Sequence, residues 1–323
     1  MVILSMLLVV LVIACGCSSG AGKAPLTGIS GPPSNEPARD AGPPWELDRI
    51  PEGVGEPGEQ LYSLAIQYEE GAEYRYELTN DMVNRLPDPI FGQMVTVKSD
   101  LTATQTARIE QLDGSGAVIL INTFNVESNV EGDEEVAILI QDATAGIEGS
   151  LMRGNYDEFG RGTDVFLERG IGLSPIGAQA GDEDLIVGLM GLLLPPTPVT
   201  LADEWLGSFD FTAQVGSFFV KVGGTVENGE FPIVYALEQV NEEENYAVIG
   251  IRSEGRPTII LALVGDETVS SEMHVLMEGR ALIDLDTGWL REMKVTTTVD
   301  YSGFMPGVKQ VVQSTTRRVS IKK

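Results

Sequence analysis

From Gln60 onward, apolar and polar side chains alternate with a period of two. Tyr62, Leu64, Ile66 and Tyr68 fall on one side of an extended chain, and Glu69-Glu70-Gly71-Ala72 turns it. Tyr74, Tyr76 and Leu78 then resume on one face, with Arg75, Glu77 and Thr79 opposite. Successive side chains of a strand point to opposite faces, so this pattern demands strands with one buried and one solvated face. Thr102–Glu110 and Ala117–Val126 bracket Asp113-Gly114-Ser115-Gly116, a hairpin turn, and Val136–Ile140 is a further expected strand. The fold class predicted is all-β, mainly antiparallel, a curved sheet or half-barrel-like body.

The second half repeats the order of the first. Trp205, Gly207, Phe209 and Phe211 alternate after Leu201-Ala202-Asp203-Glu204, as Tyr74 and Tyr76 do after Glu70-Gly71. Ile233–Val240, the turn Asn241–Asn245 and Tyr246–Ser253 mirror the Thr102–Val126 hairpin. Glu148-Gly149 precedes a strand and the turn Tyr156-Asp157-Glu158-Phe159-Gly160, as Glu278-Gly279 precedes Ile283-Asp284-Leu285-Asp286-Thr287-Gly288. These matches predict one β body over residues 59–323 built from two similar units, 59–180 and 200–323. A shared sheet would bury both apolar faces together.

Between the units, Asp182-Glu183-Asp184 opens a stretch closed by Pro195-Pro196. Acids in a first turn and prolines at the end predict a short connecting helix over about 182–194. Leu185, Ile186, Leu189, Leu192 and Leu193 lie at helical spacing on it. They are either a connector packed on the sheet or the apolar wall of a ligand site.

Residues 2–13 form an apolar run broken only by Ser5. At 1.5 Å per residue such a run is too short for a hydrocarbon core of about 30 Å, and it reads as the apolar region of a signal peptide. Val12-Ile13-Ala14-Cys15 follows it and resembles the lipobox of bacterial lipoproteins. That resemblance implies cleavage after residue 14 and a diacylglycerol on Cys15, with Cys17 as the alternative modified residue. It also implies an extracytoplasmic body anchored by lipid at an outer membrane or cell surface; an ordinary secreted protein is the alternative. Residues 15–58, rich in Gly, Pro and Ser, show no hydrophobic periodicity and are expected to be a disordered tether. The segments Leu194–Trp205 and Gly279–Leu290 resemble a group of uncharacterised bacterial lipoproteins and secreted β proteins, which implies fold class and compartment but no chemistry.

Charge excludes several partners. The chain carries 48 acids against 21 bases, a net charge of −27. Six acids and three bases precede residue 59, so 42 acids and 18 bases leave −24 on the body. A polyanion of this density repels nucleic acid and anionic lipid surfaces. One His and two Cys leave no zinc-finger set and no disulfide framework, and no cofactor or metal is expected.

Asp286-Thr287-Gly288 has the tripeptide of pepsin-like sites, but Trp289 follows it and the equivalent turn at Asp157-Glu158-Phe159-Gly160 lacks a match. A turn explains it: Asp starts the turn and Gly supplies a positive φ. Asp284, Asp286, Gly132-Asp133-Glu134-Glu135 and Asp182-Glu183-Asp184 lack the spacing of a calcium loop. His274 stands alone in a strand pattern. Five bases and no acid fill the last 15 residues, a strand expected to pair with an acidic neighbour. The functional expectation is therefore a non-enzymatic, lipid-anchored β protein that binds a hydrophobic ligand or an envelope partner on its sheet. A purely structural module is the second reading, and a carboxylate-dependent hydrolase of envelope polymers the third.

Overall fold

The computed structural model describes residues 60–87, 94–132, 147–169, 191–212, 224–262, 268–303 and 306–323. They form thirteen strands: β1 (Glu73–Pro87), β2 (Met94–Asp113), β3 (Gly116–Glu131), β4 (Leu151–Tyr156), β5 (Gly162–Arg169), β6 (Glu204–Asp210), β7 (Gly224–Glu227), β8 (Glu230–Asn241), β9 (Tyr246–Gly255), β10 (Thr258–Ala262), β11 (Thr268–Asp284), β12 (Leu290–Tyr301) and β13 (Lys309–Lys322). Eleven lie side by side in the order β5-β4-β3-β2-β1-β13-β12-β11-β9-β8-β6, and β10 pairs with β11 and β7. The pairings are antiparallel, and the sheet is curved and open, with β5 and β6 as the edges of this path. The fold class read from the alternation is the one observed.

Two meanders run through this order. β1 to β5 pair consecutively, and β6, β8, β9, β11 and β12 do the same. The last strand, β13, joins the two runs by pairing with β1 on one side and β12 on the other. The two turns matched in sequence close over different lengths, three residues in the first and four in the second. Gly160 donates to the Asp157 carbonyl (3.0 Å), and Gly288 donates to the Asp284 carbonyl (2.7 Å).

Alternation places the core on one face. Tyr74, Tyr76, Met82 and Leu86 of β1 are buried, as are Phe231, Ile233, Tyr235 and Leu237 of β8. Trp289, Tyr76, Tyr156 and Tyr235 are the largest fully buried side chains. Aromatic rings remove large apolar areas from water and so dominate this core's energetics.

Residues 60–69 depart from the expected strand. Leu64 and Ile66 point inward as the alternation requires, but the segment is a strap across one end of the sheet. Tyr62 and Val199 exchange hydrogen bonds of 2.8 and 3.0 Å. Ile66 then donates to Glu158 (2.6 Å) and Gln67 to Thr287 (2.8 Å), one from each of the two matching turns. Alternation reports an extended chain with one side buried; it does not report what the backbone pairs with.

Of the connecting helix expected over 182–194, residues 182–190 lie outside the described residues, and Leu192, Leu193 and Leu194 lie in irregular chain buried in the core. The expected strand Val136–Ile140, the signal peptide and the tether up to residue 58 also lie outside the described residues. No described helix is long and apolar enough to cross a membrane.

The basic C-terminal strand sits in the middle of the sheet, with an acid beside each of its bases. Lys309 reaches Asp300 (3.5 Å), Lys323 reaches Glu69 (2.8 Å) and Arg318 lies 3.6 Å from Asp284. Arg317 stands opposite Glu77 on one flank and Glu292 on the other, and Lys322 stands opposite Glu73.

Candidate functional site

Two places on this scaffold gather polar side chains from distant parts of the chain: a cap at one end, and a trough across the polar face of the sheet. The cap forms where the strap crosses the turns. Trp289 lies stacked on Tyr74 (3.8 Å between centroids) and edge-on to Tyr68, and its indole donates to the Gln67 carbonyl (3.0 Å). Trp205 donates to the Leu193 carbonyl (2.9 Å), tying the segment after Gly191 to β6. Asp284 accepts from Arg291 through Nη2 (2.9 Å) and Nε (3.2 Å). Arg291 also donates to the carbonyls of Glu244 and Asn245, linking the β8–β9 turn to the β11–β12 turn. Burial opposes ionisation of Asp284, but the hydrogen bonds and charges of Arg291, with Thr287 N–H and Arg318, hold its carboxyl below the ordinary value.

The pepsin-like tripeptide is part of this cap. Gly288 has φ +69°, and a Cβ there would collide with the Ala65 carbonyl of the strap. Asp284, not Asp286, starts the turn, while Asp286 accepts from Asn245 (2.8 Å). Asp284 and Asp286 are thus committed to protein donors, residues 133–135 and 182–184 lie outside the described residues, and no metal-ligating cluster occurs among the described ones. His274 is half-buried and pairs with Glu254 (2.8 Å) beside the buried Met273 and Val275.

The trough lies elsewhere. It has a volume of about 700 Å³ and takes side chains from β1, β13, β12, β11, β9 and β8. The register explains why they meet. Asp81 pairs with Gln313, Gln313 with Thr296, Thr296 with Glu278, Glu278 with Arg252 and Arg252 with Val234. The adjacent row runs Thr315, Lys294, Arg280, Gly250 and Ala236. Residues in register on one face stand side by side, so the two rows make a continuous band across six strands.

Within the band, Lys294 and Arg280 stand directly opposite each other, an arrangement that costs free energy unless each charge is balanced. Glu238 pairs with Arg280 (2.6 Å) and Glu292 with Lys294 (3.4 Å). Gly250 makes the first pairing possible, because a Cβ at that position would occupy the space of the Glu238 carboxylate. Arg252 turns outward to Glu204 at the β6 edge. At the other end, Asp81 faces Asp100 across β1 and β2. Burial and the Asp100 carboxylate push the Asp81 carboxyl above its ordinary value.

Of the residues singled out in the sequence, Leu192 and Leu193 are core residues under the cap, and Leu185, Ile186, Leu189, Cys15 and Cys17 lie outside the described residues. The trough was not visible in the sequence. Each of its charges occupies an ordinary solvent-face position in its own strand, and only the register of six strands assembles them.

No family model matches the chain, and no curated protein matches it. Among solved structures it is similar to one described as lipid-protein interactions in lipovitellin, with 12% identity and a TM-score of 0.40. The match covers 79% of this chain and 26% of that one, so the chain spans about a quarter of its length. It is also similar to an outer membrane channel from Pseudomonas putida F1, with 9% identity and a TM-score of 0.25 over 79% of this chain and 97% of that one. A third similarity is to the outer membrane protein opdK from Pseudomonas aeruginosa, with 6% identity and a TM-score of 0.19 over 80% of this chain and all of that one. Likenesses this distant carry no argument about what the trough does.

Proposed function

We propose that the chain is an extracytoplasmic protein, anchored to a membrane by lipid on Cys15, that binds an envelope partner in the trough without acting on it chemically. The trough itself carries this reading: a band across six strands that presents both signs of charge, uncharged polar groups and a short apolar end. The lipobox-like Val12–Cys15 and the Gly/Pro-rich residues 18–58 support the address. Leu64, Ile66, Leu192, Leu193 and Leu194, from outside the strands, pack into the main apolar core, which favours the polar face over the apolar one as the place of binding. The most buried acid in the trough, Glu238, is neutralised by Arg280, which supports binding over acid–base chemistry.

A photo-crosslinking residue placed at Thr296, in the trough, tests the reading against the same residue at Leu112, exposed on β2. The expected result is a discrete crosslinked species from Thr296 alone, in the membrane fraction, with a diacylglycerol on Cys15 by mass spectrometry. Equal crosslinking from both positions, none from either, or a soluble protein that retains Met1 would overturn it.

A further inference from the structure

The dimensions of the trough and the order of its charges define the chemistry of an occupant. Six strands about 4.8 Å apart span about 24 Å between the outer two, the reach of roughly seven residues of extended polypeptide. A volume of about 700 Å³ over that length leaves a mean section of about 30 Å². One strand in a packed sheet takes about 4.8 by 10 Å, so the trough holds a single extended chain with part of its width above the rim. Among the described residues no aromatic ring lines it, so a sugar polymer would lack a stacking platform there. Gln313, Thr315 and Thr296 instead offer amide and hydroxyl groups to the N–H and C=O groups of a peptide.

The two ends differ. At the β1 end, Asp81 and Asp100 stand opposite each other, and among the described residues neither carboxylate has a hydrogen bond or ion pair. Like charges placed so are destabilising until a cation comes between them. Glu278 is likewise without a partner, because Arg252, its cross-strand neighbour, is drawn to Glu204. At the other end Val234 and Ala236 line the trough, and Leu206 stands beside Val234 on the edge strand with 54% of its surface exposed.

We propose that the trough takes one extended polypeptide segment of about seven residues. It lies across the strands with a Lys or Arg at the Asp81–Asp100 end and an aliphatic side chain at the Val234–Leu206 end. This inference rests on the binding role proposed above and adds the class and direction of the partner.

The probe is a fluorescein-labelled octapeptide, Lys-Ser-Thr-Gln-Ser-Thr-Ser-Leu, titrated against the full-length chain by anisotropy at low and high salt. Its counterparts carry Asp in place of Lys, or Ser in place of Leu. The Lys-to-Asp peptide should bind about tenfold more weakly, with the difference shrinking at high salt. In the double variant Asp81→Asn, Asp100→Asn the two peptides should bind within about threefold of each other. Leu206→Ser, at an exposed position, should cost the parent peptide several-fold and leave the Leu-to-Ser peptide unchanged. Absence of peptide binding, equal binding of the Lys and Asp peptides, or binding of a glucan hexasaccharide in place of the peptides would overturn the proposal. Crosslinking from Thr296 combined with any of those results would remove the peptide and keep the binding role; loss of the crosslink would remove both.

Discussion

The cap and the trough both draw charged groups from several strands, yet they treat them in opposite ways. At the cap, Asp284 accepts from Arg291, Thr287 and Asn245, and Arg291 spends its other donors on two carbonyls. In the trough, Asp81 faces another carboxylate and Glu278 has no partner among the described residues. A satisfied buried network rigidifies a fold. Unrelieved like charges on an accessible face reduce stability and are available to a partner. The contrast separates the part of the molecule that holds the turns together from the part suited to binding.

Variants can sharpen or break this contrast, starting with those expected to act most strongly. Trp289→Ala removes a fully buried ring from the junction of strap and turn, and should destabilise the protein by about 3–5 kcal/mol in urea unfolding. A loss below about 1 kcal/mol would show that the cap does not hold the fold together. Gly288→Ala places a side chain at positive φ and against the Ala65 carbonyl, with an expected loss of about 2–3 kcal/mol by the same measurement. Arg291→Ala leaves Asp284 half-desolvated without its main donor, with an expected cost of about 2 kcal/mol.

Titration should separate the two regions by sign. The Asp284 carboxyl is held below its unfolded-state value, so its stabilisation is present above the unfolded value and is lost as pH falls through the folded one. Asp81 is raised, so the fold gains stability as pH falls from above its folded value towards the unfolded one. Unfolding free energy followed between pH 3 and about 7 should therefore lose part of its acid sensitivity in Arg291→Ala and gain some in Asp81→Asn. The smallest expected effect is the most diagnostic: at neutral pH, Asp81→Asn should stabilise the chain by less than about 1 kcal/mol. A loss on that substitution would show that Asp81 is part of the architecture and would erase the contrast.

Much of the fold was legible because strand alternation is a local property. Tyr74 and Tyr76, the Asp113–Gly116 hairpin and the paired turns at Asp157 and Asp284 all lie where the pattern put them. The basic final strand was legible for a similar reason, since five bases in an acidic chain need acidic neighbours. What escaped was non-local. Tyr62–Tyr68 alternates like a strand and is a strap, because its backbone donors go to turns some 90 and 220 positions away. The trough escaped for the same reason: Glu238, Arg280 and Lys294 lie in three strands, and a one-residue slip in any of them would move its charges to the other face.

The placement of β13 has a consequence for the timing of folding. Glu73, in the first strand, stands opposite Lys322, in the last, at the centre of the sheet. During synthesis β1 waits for the rest of the body before its second neighbour exists, on the order of tens of seconds at usual elongation rates. The first meander can form early, but its β1 flank stays unpaired until β13 is made, and so does the β12 flank of the second. Completion is thus a single late event with very high contact order. A chain shortened by its last 15 residues would lose all of β13 and expose the flanks of β1 and β12 that the strand covers.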